Sequence, residues 1–454
     1  MIADLRGENP SSVRGPSRRV SGNSITSVEY PMARLTLTLA VLVGLPALLW
    51  PQSHSPELPD SLVVEALRNN PDLRAEAQRI LAAEGRKDQA GTLEPPMFIY
   101  RLEEFPGTEF GQAQFQNFGI MQAIPFPTKL SLESDIASHE QDRTSFERKV
   151  KMLEVIAEVR SGAAMLWGTR TMLAINRDNQ ELLRRILSSA QTRYAVGKTS
   201  QQDVLKADIE LTRLESQEIE FEQELASSEA MMRSLINRPI SEPIGPVMEL
   251  PVVALDMTLE QYRTIARHNS PALAADSVSV ARADRMLSLR NHQYYPDLLL
   301  DIERVTMPVG GPSSWSVMAT VSLPFAPWTL GRASAGIQEA KAEKSEMQSR
   351  FVAAATSLDA RVAKAYARAR GLEHQMNAYR DRILPQTEQS IQSLLTAYQT
   401  GMTDFLMLLD GYRTYQEVRM ELARITTDYH QAFAELEREA GLTGFSVPVE
   451  ENQP

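Results

Sequence analysis

The chain repeats itself at an offset of about 200 residues, and that constrains its fold more than any other feature. Ala66-Leu67-Arg68-Asn69-Asn70-Pro71-Asp72-Leu73 returns as Ala266-Arg267-His268-Asn269-Ser270-Pro271-Ala272-Leu273, an offset of 200. Pro96 returns as Pro296, and Pro125-Phe126 as Pro324-Phe325. Tyr194-Ala195-Val196-Gly197-Lys198-Thr199 returns as Tyr398-Gln399-Thr400-Gly401-Met402-Thr403. Anchors in one order with nearly constant offsets mean two copies of one structural unit. The units are expected at 58–237 and 258–442, joined by a Pro-rich linker over 238–257 and followed by a polar tail over 443–454.

Residues 1–31 are polar and irregular. Arg34 and the apolar run Leu35 to Trp50 then fit a secretory signal peptide over 32–52, with Met32 a candidate true start. The run is shorter than the ~20 residues of a spanning helix, and a short membrane anchor is the alternative. The absence of cysteine excludes disulfides, thiolate metal sites and catalytic thiols. The six histidines never pair at helical ligand spacing, so no metal site, no cofactor and no enzymatic activity are expected. A net charge of −11 argues against a nucleic-acid partner.

Each unit reads as helix, strand, strand, long helix, turn, long helix. The first helix is expected after Pro59, capped by Asp60 or Ser61. The period then changes to two: Phe98, Tyr100 and Leu102 alternate with Ile99, Arg101 and Glu103, and Leu298, Leu300 and Ile302 with Leu299, Asp301 and Glu303. Trp315, Val317, Ala319 and Val321 continue the pattern, whereas Phe115 to Ile124 is less regular. The long helices come next, from Leu130 to about Tyr194 and from about Ala333 to Tyr398, with Pro385 expected to bend or break the second. Some 60 residues at ~1.5 Å each make a rod of about 90–100 Å. It carries two adjacent 4-3 seams. One is Phe146, Val150, Leu153, Ala157, Ala164 and Trp167, skipping Arg160. The other is Met152, Ile156, Val159, Ala163, Leu166 and Leu173, broken at Arg170. Two seams mean a neighbour on each side, either in a ring of helices or in an ordinary bundle.

Four amphipathic strands cannot close a membrane barrel, and an open edge in lipid leaves backbone groups unpaired at several kcal/mol each. If these are membrane strands, three copies supply twelve and an obligate homotrimer results. A soluble β-sandwich with helical stalks is the competing reading. Against it stand outward faces carrying Phe98, Tyr100, Leu300 and Trp315 and no charge.

Together these motifs resemble the TolC-type outer-membrane efflux family over residues ~58 to 442. The resemblance implies a mainly α fold with a small β part: two tandem repeats of helix, strand pair and long helical hairpin. As a homotrimer it forms a 12-stranded β-barrel in the outer membrane, continuous with an α-helical barrel in the periplasm. It also implies a passive exit duct that meets outer-membrane lipid, a periplasmic adaptor (membrane fusion protein) and an inner-membrane RND pump. The segments Leu102 to Gly107 and Gln122 to Leu130 are similar to the heavy-metal cation branch, which often has Gly where Thr128 stands. A multidrug or type I secretion duct is the nearest alternative, and a soluble periplasmic coiled-coil scaffold is one of another class. Without cysteine, no acylated anchor is expected, and insertion rests on the barrel.

The resemblance also assigns residues. Tyr398 takes the place of a gate tyrosine and Asp203 that of its hydrogen-bond partner, with Gln202 and Thr403 beside them. A packed Tyr and a helix-capping Asp are the plain alternatives. Asp410 falls on a pore-selectivity position and Met407 on a second one that is often aspartate; three carboxylates around the axis favour cations. Gly197, Thr199 and Gly401 form the tip turns and adaptor contact. Met402 and Met407 are expected to pack, and the methionines to form no cluster. Arg101, Glu103, Asp301 and Glu303 are expected to line the barrel lumen as a wetted wall.

Overall fold

The computed structural model describes residues 59–104, 107–110, 113–246, 254–307 and 310–443. The expected extension over 1–31, the signal peptide over 32–52 and the tail from 444 onward lie outside the described residues. The first half contains α1 (Pro59–Asn69), α2 (Pro71–Ala90), β1 (Met97–Glu103), β2 (Phe115–Ile124), α3 (Pro127–Ala195) and α4 (Gln201–Ile236). The second contains α5 (Leu259–Asn269), α6 (Pro271–Asn291), β3 (Leu298–Thr306), β4 (Ser314–Val321), α7 (Leu330–Ala378), α8 (Leu384–Thr400) and α9 (Phe405–Ala440).

Each half opens with two helices where one was expected, because the residue before a proline is driven out of the helical region. Asn70 and Ser270 stand there with extended ψ of 125° and 112°, and each caps the next helix. The Asn70 side chain accepts from the Asp72 amide at 2.9 Å and donates to the Leu235 carbonyl at 2.9 Å, tying the break to α4. Helix α1 already includes Pro59, ahead of the expected cap at Asp60 or Ser61. Helix α3 likewise starts at Pro127, since proline suits a first turn, and its 69 residues span about 100 Å. Pro385 does not end its helix. A π turn over Tyr379–Ile383 takes up the missing donor and the chain continues as α8.

The two arginines that interrupt the α3 seams are ties. Arg160 pairs with Glu437 of α9, and with Asp60 of α1 at 3.5 Å. Arg170 pairs with Glu229 of α4 at 2.8 Å and donates to the Gly245 and Ile244 carbonyls. Around Arg160 the second seam is buried: Ile156, Val159, Ala163 and Leu166 pack with Leu62, Val63 and Ala66 of α1 and with Met232 and Ile236 of α4. The second half builds the equivalent cluster from Tyr262 of α5, Leu358, Val362 and Ala369 of α7, and Tyr429 and Leu436 of α9.

The four strands form one antiparallel sheet in the order β1-β2-β3-β4, so the hairpins of the two halves join through β2 and β3. Strands β1 and β4 are open edges. At the sheet's base Lys129 contacts Asp297 at 2.8 Å, the Phe126 amide donates to the same carboxylate at 2.9 Å, and the Phe126 ring stacks on Tyr295 at 4.8 Å. The Phe126-Pro127-Thr128-Lys129 segment thus welds the strand-to-helix passage of one half to the other.

Register places Phe98, Tyr100, Phe118, Ile120, Leu300, Ile302, Trp315 and Val317 on one face of the sheet, largely exposed. That face is not free of charge. Arg304 shares it, with its guanidinium 5.3 Å from the Trp315 ring and 2.6 Å from the Ser313 hydroxyl, at the end remote from the long helices. A cation stacked beside an aromatic ring is the arrangement that long basic side chains adopt at a membrane interface. Arg101, Glu103, Asp301 and Glu303 share the other face, and Arg101 contacts Glu303 at 3.2 Å. Asp301 and Glu303 are only 3% and 4% exposed, so this wall is less wetted than its composition suggests. Gly119 creates the space: a Cβ there would lie 2.7 Å from the Glu303 Cγ and 2.4 Å from the Ile302 carbonyl oxygen.

Candidate functional site at the helical hairpin tips

The two long hairpins turn by the same device. Helix α3 ends before Gly197 (φ 71°) and α8 before Gly401 (φ 79°), left-handed values that glycine adopts without steric cost. The Lys198 amide reaches back to the Arg193 carbonyl and the Met402 amide to the Ala397 carbonyl, each at 2.8 Å. Ser200 then caps α4 and Asp404 caps α9, the latter accepting from the Met407 amide at 2.8 Å. A shared core holds the turns together: Leu183, Ile186 and Ala190 of α3 meet Leu214 of α4, Ile391 and Tyr398 of α8, and Leu408 and Tyr412 of α9.

Asp203 completes a capping box with Ser200. Its carboxylate accepts from the Thr199 hydroxyl at 2.6 Å and from the Ser200 amide at 3.3 Å. Burial pushes its pKa up, but these hydrogen bonds outweigh burial and hold it below the usual range. Tyr398 is 3% exposed, with its ring edge-on to Phe405 at 6.0 Å. The Arg193 guanidinium lies 4.7 Å from the ring centre and donates to the Tyr398 carbonyl. Burial raises the phenol pKa, neighbouring Thr199 and Arg193 oppose the rise, and Asp203 adds to it.

The expected pair is therefore brought to one place, with Thr199 adjoining both partners. No direct hydrogen bond joins them, because the Tyr398 hydroxyl has no hydrogen-bond partner in its pocket. Gln202 is exposed and Thr403 half-buried in the equivalent turn. Asp410 and Met407 lie one turn apart on an exposed face of α9. Met402 and Met407 do not pack within the chain: they are 83% and 59% exposed, since the turn projects beyond the core that the hairpins share.

The contacts that fasten one hairpin to the other are ones that sequence reasoning missed. Arg413 of α9 reaches Glu210 of α4 at 2.7 Å, and Arg213 holds the same buried carboxylate at 2.6 Å. The fully buried Tyr412 hydroxyl donates to the Asn179 carbonyl of α3 at 2.9 Å. Arg419 pairs with Asp178 at 2.9 Å. One signal was available: Glu210 interrupts the run Ala207, Leu214, Phe221 on the buried face of α4, and a lone acid in an apolar seam calls for a cationic partner. Any separation of the hairpins must break these bonds.

The family model described as outer membrane efflux protein matches residues 62–238 and 263–442, one match to each half. The chain is 22% identical over 420 residues to the pyoverdine export outer membrane protein OpmQ of Pseudomonas putida, covering 86% of this chain and 87% of that one. It is 21% identical over 264 residues to the cobalt-zinc-cadmium resistance protein CzcC of Cupriavidus metallidurans, covering 58% and 61%. Among solved structures, the outer-membrane channel OprN superposes with a TM-score of 0.73 at 16% identity, over 84% of this chain and 89% of that one.

Proposed function

This chain belongs to the outer membrane efflux protein family, and from that premise we propose that three copies close its four-stranded sheet into a twelve-stranded exit duct for metal cations. Members are passive outer-membrane channels and not enzymes, with the helical part extending into the periplasm. The observation that carries the assembly is the sheet, which has one apolar exposed face and two unpaired edges at β1 and β4. In lipid such edges must be paired, and further copies of the same sheet pair them.

The hairpin tips form the periplasmic gate. Its closed state rests on Glu210–Arg413, Arg193–Tyr398 and Arg419–Asp178, with the Tyr398–Thr199–Asp203 group beside them. Exposed Asp410, repeated in three copies, lines the narrow end and favours cations. Gly197, Thr199 and Gly401 present the turns to a periplasmic adaptor that links the duct to an inner-membrane RND pump.

The metal-cation reading is supported by the likeness to CzcC and by the Phe126-Pro127-Thr128-Lys129 segment. The longer match to the pyoverdine export protein OpmQ favours a second reading, export of an organic compound. A deletion strain tested for growth against Cu, Ag, Zn, Co, Ni and Cd salts, siderophores, dyes and antibiotics separates them. Sensitivity confined to metal salts supports the first reading. Sensitivity to organic compounds at unchanged metal tolerance overturns it.

A further inference from the structure

The sheet assembles a row of side chains that lie far apart in the sequence. Met97 pairs with Met121 across β1 and β2, Met121 with Asp301 across β2 and β3, and Asp301 with Met318 across β3 and β4. Strand alternation puts all four on the inner face. Arg101, on the same side of β1 as Met97, reaches Glu303, which shares a side of β3 with Asp301. Gly119, two residues before Met121, lies against the Glu303 side chain. With strands ~4.8 Å apart, the row spans about 14 Å. The methionines do cluster, by register.

Asp301 is the unusual member. It is 3% exposed, and its Oδ1 has no hydrogen-bond partner. No Lys or Arg among the described residues forms an ion pair with it, whereas Glu303 is met by Arg101. A carboxylate buried in this way is costly, and the thioethers beside it cannot relieve the cost because sulfur has no proton to donate. A cation soft enough for thioethers can satisfy both. One carboxylate with neutral sulfur ligands balances a single positive charge, which suits Cu(I) or Ag(I). Among the described residues no three His, Asp or Glu gather as a harder divalent ion would require.

We propose that Met121, Asp301 and Met318 form a contact site for a soft monovalent cation on the inner wall of the sheet, with Met97 as an adjoining thioether. The site names a cargo class for the metal-cation reading, on which its physiological meaning rests.

The test uses the full-length protein in detergent and silver ion as a probe that undergoes no redox change. Equilibrium dialysis with elemental analysis should find saturable Ag(I) at one per chain. Met121→Leu with Met318→Leu preserves volume and apolar character, so the sheet should persist. Affinity should fall at least tenfold in that double variant and severalfold in Asp301→Asn, and stay unchanged in the Met402→Leu control at the exposed hairpin tip. X-ray absorption of the silver-loaded wild type should show sulfur in the first coordination shell, a readout independent of any variant. Equal binding by the double variant, loss of binding in the tip control, or a first shell of oxygen and nitrogen alone would overturn the site. If the deletion strain keeps normal silver and copper tolerance, the cargo reading fails while the titration still decides the site.

Discussion

Replacing Glu210 with Gln removes a buried charge that joins the two hairpins near their tips. Glu210 is 2% exposed and holds Arg413 at 2.7 Å and Arg213 at 2.6 Å. Both arginines are substantially exposed and regain water when released, so the loss is smaller than for a fully buried pair. A hydrogen bond to a charged group contributes about 1.5–3 kcal/mol. At 1.4 kcal/mol per tenfold, the closed-to-open ratio should fall roughly 10- to 150-fold for each hairpin that moves. Planar-bilayer recordings of the reconstituted protein should show higher mean conductance for Glu210→Gln and Arg413→Ala than for wild type. Asp203→Ala should have a smaller effect, because the Asp203 carboxylate bonds Thr199 and Ser200 of its own turn and a lost cap costs about 1 kcal/mol. Unchanged conductance in both inter-hairpin variants, with folded protein confirmed, would refute the claim that these bonds hold the pore shut.

Individual residues set three more outcomes. Gly119→Val places side-chain atoms where the Ile302 carbonyl and Glu303 already lie, so yields of heat-resistant assembled protein on semi-native gels should collapse. His430 is half-buried with its Nε2 shut off from water, and desolvation lowers its pKa to about 4; the unfolded chain takes up the proton first, near 6.5. Stability from this group is therefore complete above pH ~6.5 and is lost toward pH 4 by at most about 1.4 kcal/mol per pH unit, and His430→Gln should flatten that slope in chemical unfolding. Asp410→Asn should shift the reversal potential in a salt gradient toward lower cation preference.

The regular parts of this fold were legible because their periods are local. Alternation exposed the strands, and the recurring Pro and Gly anchors exposed the repeat. Pro71 and Pro271 were also visible, yet the helix break they impose depends on Asn70 and Ser270 taking extended backbone and capping the next helix. Arg160 and Arg170 read as seam defects because their partners Glu437 and Glu229 are distant in sequence. Met97, Met121 and Met318 are aligned by register alone. At the tips, the turn glycines were readable from chain chemistry, whereas Thr199 adjoining both Tyr398 and Asp203 depends on how two hairpins pack.

The whole assembly depends on this chain completing its sheet with copies of itself. Native mass spectrometry of the protein extracted from outer membranes tests it most directly. The expected result is a particle of three chains that dissociates only when the sheet unfolds. A stable particle of one chain in detergents that preserve membrane barrels would contradict it.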